Sequence, residues 1–197
     1  LSKKLKELSV KPKADYYRIP RKNINFGKWI KHSRWWPDYN IRFFKAGKVI
    51  WSNAIHRPPK TEGQGIKLPE EERYAIVHHH YDTLTQFLER MNRYATVQAD
   101  GLIDDGYHFQ WPDLIKKPLS EFLSRFFAHR GFEDGLHGLA LSLLQAFSFL
   151  VVYLKVWEKE GFTKSDLSLS DLHQLSKEGG EELNYWFKYG NLSKNPI

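Results

Sequence analysis

The sequence predicts an α/β fold, with short strands up to Tyr81 and helices after it, and three observations carry that prediction. Runs rich in Val, Ile, Tyr and Phe, cut by Pro and Gly, recur at residues 14–20, 39–44, 49–56 and 73–81. From Leu84 the apolar residues switch to a helical period. Leu136 to Leu154 then runs for 19 residues without a formal charge. With 197 residues, 41% of them apolar, the chain can bury a real core and lacks the composition of a disordered segment.

Residues 2–9 place Leu5 and Leu8 at helical spacing and read as the tail of a helix, broken at Lys11-Pro12-Lys13. ADYYRIP at 14–20 reads as a strand ended by Pro20. The stretch to Pro37 mixes Gly27, Trp29, Trp35 and Trp36 with many cations and reads as an aromatic loop. The runs 39–44 and 49–56 are separated by Lys45-Ala46-Gly47-Lys48, which predicts a hairpin. The Pro and Gly of 56–72 predict a loop, and 73–81 a further strand.

Asp82 or Thr83 caps a helix running to about residue 99, with Leu84, Phe87, Leu88, Met91 and Ala95 on one face and Gly101 placed to stop it. Pro118 opens a short amphipathic helix over 118–131. The charge-free run is long enough for a membrane span, but His137, Gly138, Ser142, Gln145 and Ser148 within it favour a helix that is buried or lies in a membrane interface. The acidic remainder predicts one or two short helices interrupted at Gly179-Gly180. Residues 1–100 form the first domain in this reading and 101–197 a helical extension.

Charge is unevenly spread. Residues 1–60 hold sixteen Lys/Arg against three Asp/Glu, a net of +13, while residues 61–197 hold fourteen against twenty, a net of −6. A basic front suits nucleic acid, anionic lipid or a phosphorylated ligand, or simply faces an acidic neighbour. No recognition-helix, RRM or OB signature supports nucleic acid, so a phosphate-bearing ligand or lipid is the better reading. Seven Trp, ten Tyr and thirteen Phe exceed what a small core needs and suit sugar faces or membrane interfaces. The absence of Cys removes disulfides, thiolate metal sites and Cys nucleophiles. There is no Walker loop, GxGxxG, HExxH or GxSxG pattern. Within His78-His79-His80 only His78 and His80 share a strand face, short of the three ligands that a catalytic zinc takes.

A set of short motifs occurs in order. Gly27-Lys28-Trp29-Ile30 is followed by Trp36-Pro37-Asp38, Arg42-Phe43-Phe44 and Trp51 through His56. His78 through Tyr81, Asn92-Arg93-Tyr94 and Gly131-Phe132-Glu133-Asp134-Gly135 then complete the set. Together they resemble the second half of a family 2 glycosyltransferase of the lipopolysaccharide-core β-glucosyltransferase-like group, over about residues 1–158. The resemblance implies the later strands of a GT-A type nucleotide-sugar-binding sheet. It also implies inverting transfer of a sugar from a nucleotide-sugar donor to a cell-envelope glycan or lipid-linked acceptor.

The Asp-x-Asp that holds the divalent metal, Mg or Mn, is expected just upstream of Leu1, so these residues alone are expected to be inactive. His56 is the metal residue that the resemblance implies, against a structural His beside a Pro-rich loop; Arg57 stands where the family often has Glu. Such transfer needs a carboxylate to deprotonate the acceptor hydroxyl. Asp38 is the first candidate base, against a turn Asp pairing with Arg42, and Glu62 on the following loop is the second. Trp35 and Trp36 are expected to offer a face to a sugar, and His78, Arg42 and Arg93 to contact substrate or its phosphates. A helix-surface ion pair is the plainer role for Arg93. The expected setting is the cytoplasmic face of the inner membrane, with an open sheet edge favouring self-association.

Overall fold

Strand β1 (Tyr16–Asn25) is the element on which the first part of the molecule is built. The computed structural model describes residues 1–51, 58–164 and 166–189. It is a mixed α/β structure in two units, a sheet unit Leu1–Asp82 and a helical unit Thr83–Ile197. The boundary falls earlier than residue 100, so the helix after Thr83 belongs with the helices that follow it.

In the sheet unit, helix α1 (Ser2–Val10) precedes β1. Along one edge of β1 lie β2 (Lys28–Trp29) and β3 (Asp38–Phe44), both antiparallel to it. Along the other lie β6 (Gly65–Lys67) and β7 (Ile76–Tyr81), both parallel to it. The alternation of β1 puts Tyr17 and Ile19 on one face, where they pack with Leu8 of α1, Ala14 and Leu68. A smaller apolar cluster of Tyr16, Ile41 and Val49 sits apart from it.

Three expectations for this unit are corrected. Pro20 does not end the strand. Arg18 accepts from Leu68 N–H with its carbonyl, so its hydrogen-bonding edge faces β6. Two residues on, Pro20 turns its missing N–H to the same side, where β6 has ended and β7 begins only opposite Arg21. The stretch after it is not all loop: β1 continues to Asn25 and turns through Phe26 and Gly27 into β2, both with positive φ (50° and 78°), as a two-residue hairpin requires. The expected hairpin of 39–44 with 49–56 is absent among the described residues. Instead β4 (Val49–Ile50) pairs with β5 (Lys60–Thr61), a strand inside the segment expected to be a loop.

Gly65 shows why β6 forms where it does. It pairs with Tyr16, and a Cβ at Gly65 would overlap the Tyr16 ring. Asp15 ties down the preceding turn by accepting from Gln64 N–H at 2.8 Å and pairing with Lys45 at 3.0 Å. The Gln64 N–H first, then Lys45, hold its carboxyl below the usual range.

In the helical unit, Thr83 caps α2 (Leu84–Asp104) by accepting from Gln86 N–H at 3.2 Å. Phe87, Met91, Ala95 and Ala99 form its buried stripe. The helix runs through Gly101; the positive-φ glycine beyond its end is Gly106 (φ 82°). Helix α3 (Asp113–Leu123) starts before Pro118, with Asp113 favourable in its first turn, and passes into a π-helical turn, Ser124–Ala128. A 3-10 turn, Gly131–Asp134, leads to α4 (Leu136–Lys159), which packs on α2 and α3. Helix α5 (Leu169–Tyr189) is continuous through Gly179-Gly180. Its approach to α3 explains the first of these glycines, since a Cβ at Gly179 would lie 2.9 Å from Leu119 Cδ2.

Candidate functional site

The continuation of β1 past Pro20 creates a row that the sequence does not announce: Arg21, Asn23 and Asn25 at alternate positions share one face. The register sets Asp38 of β3 beside Arg21, and His78 of β7 beside Asn23. Asp38 Oδ2 accepts from Arg21 Nε at 2.9 Å, from Arg21 Nη2, and from Asn23 Nδ2 at 3.0 Å. Asp38 Oδ1 accepts from Asn40 Nδ2 at 3.1 Å. The Asp38 partner is therefore Arg21, not Arg42, and three side chains from two strands fix the plane of its carboxylate. Oδ2 is saturated, while Oδ1 keeps one lone pair and the side chain is 26% exposed.

Asn23 is fully buried and joins this carboxylate to a histidine. Its Nδ2 also donates to the Trp35 carbonyl at 2.9 Å, and its Oδ1 lies 2.8 Å from His78 Nδ1. An amide oxygen only accepts, so His78 carries a proton on Nδ1 and donates it to Asn23 Oδ1. His78 and His80 share a face with ring centroids 4.9 Å apart, and His79 is exposed. Asn25 ends the row fully buried, with neither amide atom hydrogen-bonded to a described residue, a cost of about 1–3 kcal/mol.

The tryptophans divide. Trp35 is buried with its ring edge-on to His80 at 5.3 Å and to Tyr81 at 6.4 Å, so it packs the core of the unit. Trp36, half-buried before a cis bond to Pro37, meets Trp29 edge-on at 5.3 Å. Lys22 and Lys31 each approach the Trp29 ring at 4.6 Å.

A groove of about 610 Å³ is lined by Arg18, Tyr39, Asn40, Ile41, Trp51 and Lys67 among others, and the pairing of Arg18 with Ile41 and Lys67 puts it on the sheet face opposite Arg21 and Asp38. Asn40 borders it and also bonds Asp38, while Asp38 itself is not among its described lining. Arg42 reaches the groove through Trp51, with its guanidinium 5.6 Å from that ring. Thr61 lines the groove, and Glu62 follows it, exposed and paired with Lys48 at 3.2 Å. Arg93 is exposed on α2, over its neighbour Tyr94 at 5.7 Å, with no carboxylate partner among the described residues. His56 lies outside the described residues.

Among the described residues no three His, Asp or Glu side chains converge as metal ligands. Asp38 is already committed to Arg21, Asn23 and Asn40, so the described residues do not fit a divalent ion. No family model matches this chain, and no solved structure matches it.

The site residues that the sequence reading passed over are Arg21, Asn23 and Asn40 around Asp38, and Arg18, Tyr39, Trp51 and Lys67 around the groove. Arg21-x-Asn23-x-Asn25 carried a strand signal, hidden by treating Pro20 as a stop. Lys67 carried none, because a parallel register brings it beside Arg18 from 49 residues away.

Proposed function

We propose that the chain is part of an inverting glycosyltransferase of GT-A type, moving a sugar from a nucleotide-sugar to a cell-envelope glycan or lipid-linked acceptor. The observation that carries this reading is the Asp38 carboxylate, fixed by Arg21, Asn23 and Asn40 with one Oδ1 lone pair left to accept a proton. Oδ1 takes the proton of the acceptor hydroxyl as that oxygen bonds to the anomeric carbon. The bond from that carbon to the nucleotide diphosphate breaks and the diphosphate leaves with the electron pair, so the sugar inverts. A fixed base removes the cost of orienting it in the transition state. The divalent ion that such enzymes use would neutralise the departing diphosphate, and the described residues of this chain do not supply its ligands.

The test is nucleoside diphosphate release by the complete gene product, supplied with envelope glycolipid and a panel of nucleotide-sugars. Asp38→Asn is expected to cut acceptor-dependent release by about 10²–10⁴-fold with donor binding unchanged. Full activity in that variant would move the base to Glu62. Absence of acceptor-dependent release with every donor would end the sugar-transfer reading.

One observation favours a second reading, a membrane-binding module without chemistry. Helix α4 is the described helix long and apolar enough to cross a membrane, with a mean hydropathy of 1.9 and one third of that window buried. Leu136, Leu143, Phe147 and Leu154 are exposed along one side of it. Placement at the cytoplasmic face of the inner membrane would suit either reading. Salt-sensitive flotation with anionic vesicles, indifferent to nucleotide-sugars, would support the module.

A further inference from the structure

Cations of the sheet unit differ in how they are matched. Arg21, Lys22, Lys45 and Lys48 are matched by Asp38, Glu72, Asp15 and Glu62. Arg18, Arg42 and Lys67 have no carboxylate partner among the described residues and lie over aromatic rings instead. Arg18 sits 5.9 Å from the Tyr16 centroid, Arg42 5.6 Å from Trp51, and Lys67 Nζ 5.0 Å from Tyr39.

Arg18 and Lys67 line the groove and Arg42 stacks on Trp51 at its border, and the strand register is what brings them there. The parallel pairing sets Lys67 beside Arg18, and the antiparallel pairing sets Ile41 beside Arg18 on its other side. A bulge opposite Tyr17/Arg18 leaves Arg42 as the extra residue of β3, since Phe43 pairs with Tyr17 and Ile41 with Arg18. A bulge re-aims the side chain it carries, here onto Trp51. Tyr39 is held in place by donating its hydroxyl to the Leu68 carbonyl at 2.8 Å. Burial, then Glu70, push that phenol up, so it stays neutral in ordinary buffers.

The groove therefore has a half-exposed indole and a phenol ring for walls, two guanidinium groups and an ammonium at hand, and no acidic residue among its described lining. Its 610 Å³ falls in the range of small-ligand sites, which run from about 300 to 1,000 Å³. Flat aromatic faces suit the C–H face of a pyranose, and unmatched cations suit a dianion. The clefts between α3 and α5 offer no such field, since Lys116 there pairs with Glu178 at 3.6 Å.

We propose that this groove binds a phosphorylated sugar, with Arg18, Lys67 and Arg42 on the phosphate and Trp51 and Tyr39 on the ring. This binding does not rest on the sugar-transfer reading. A phosphate reaches such a groove either on a soluble sugar or on a lipid headgroup; the proposal commits to the first, and the experiment separates the two.

The first arm titrates the chain with glucose 6-phosphate, glucose and inorganic phosphate by calorimetry at low salt, without donor. Glucose 6-phosphate is expected to bind at least about tenfold more tightly than either component alone. The double variant Arg18→Gln/Lys67→Gln is expected to weaken it by about tenfold or more, and Trp51→Ala to bring it down to the level of inorganic phosphate. All three residues are exposed, so these variants should fold. Removing the same charge from α1 by Lys3→Gln/Lys6→Gln is expected to change nothing. Equal weakening by both charge pairs would show diffuse attraction to a basic chain and overturn the site. Equal binding of phosphate and glucose 6-phosphate would overturn the sugar assignment.

The second arm uses phosphatidylglycerol vesicles. Vesicle binding that needs Arg18 and Lys67, with no response to glucose 6-phosphate, would make the ligand a lipid phosphate and overturn the proposal. Because no turnover is measured, either result leaves the Asp38 test standing on its own.

Discussion

The ties that hold the sheet unit join residues far apart in the chain. Arg21 holds Asp38, Asn23 holds His78, Lys22 pairs with Glu72 and Asp15 with the Gln64 amide. In the helical unit many polar ties are short-range, as Arg125 with Glu121, Arg130 with Glu133 and Ser142 Oγ donating to the Gly138 carbonyl at 2.7 Å, while a few reach further, as Lys159 with Asp100 at 2.6 Å and Phe109 N–H donating to Glu160 at 3.2 Å. Aromatic contacts add to that reach, as in Phe109 stacked on Trp157 at 5.6 Å and Phe127 on Trp186 at 6.2 Å. The sheet unit thus depends on register, because a one-residue slip of β3 would separate Asp38 from Arg21 and one of β7 would separate His78 from Asn23. The helical unit depends on close approach of backbones and rings. The candidate chemistry sits in the first, where a fixed register can aim Asp38; packing alone would not orient a carboxylate.

The largest effect on stability is expected in the helical unit. A Cβ at Gly138 would overlap the Gly131 carbonyl oxygen and press on Asp134, which is buried. Backbone cannot step aside as a side-chain tip can, so Gly138→Ala is expected to cost about 3 kcal/mol. Hydrogen exchange should show the greatest loss of protection in α4 and the 131–134 turn. Unchanged exchange there would mean that the turn is not held by this approach.

Gly65→Ala is the counterpart in the sheet unit and should be milder, about 1–2 kcal/mol, because the obstacle is the Tyr16 ring. It discriminates between the units in a second way. If register is what holds the sheet, Gly65→Ala loosens β6 and weakens glucose 6-phosphate binding through Lys67, although Gly65 does not line the groove. The double variant Gly65→Ala/Tyr16→Ala relieves the overlap, so recovery of β6 protection is the sharper readout. If β6 exchange stays unchanged in the single variant, the sheet tolerates local displacement and the comparison loses its basis.

The same contrast explains what the sequence could disclose. Helices α2 and α4 were legible because a helix is specified by neighbours three and four residues away: Phe87, Met91 and Ala95 announce α2, and Leu136–Leu154 announces most of α4. Errors there came from single punctuating residues. Gly101 and Gly179 sit inside helices whose other residues outweigh them, at about 1 kcal/mol each. The strands β1, β3 and β7 were found, but their partners were not, since Lys67 meeting Arg18 or Asp38 meeting Arg21 is a property of register. Asp38 was picked out by its neighbours Trp36 and Pro37, and the pairing first weighed for it, with Arg42, was local. The real partner lies across the sheet, 17 residues back.

The smallest expected effect concerns a polar tie of the helical unit that is itself local. Tyr107 donates its hydroxyl to Asp113 Oδ2 and meets Tyr153 edge-on at 5.7 Å. Burial first, then the Asp113 hydrogen bond, push the Tyr107 phenol well above its usual range. A raised phenol means that the folded form prefers the neutral group. That contribution is complete below the unfolded value of about 10 and is lost as pH rises through the folded one. Tyr107→Phe removes the donor, which should cost about 1 kcal/mol at neutral pH. It also removes one source of alkaline destabilisation, so the wild-type and variant stabilities should converge above about pH 10. The variant will not become pH-independent, because burial and then Asp113 also push Tyr153 up. Thermal unfolding from neutral to strongly alkaline pH reads this directly. Parallel curves would show that the Tyr107 hydroxyl is not what couples this unit to pH, leaving Tyr153 as the other raised phenol among its described residues.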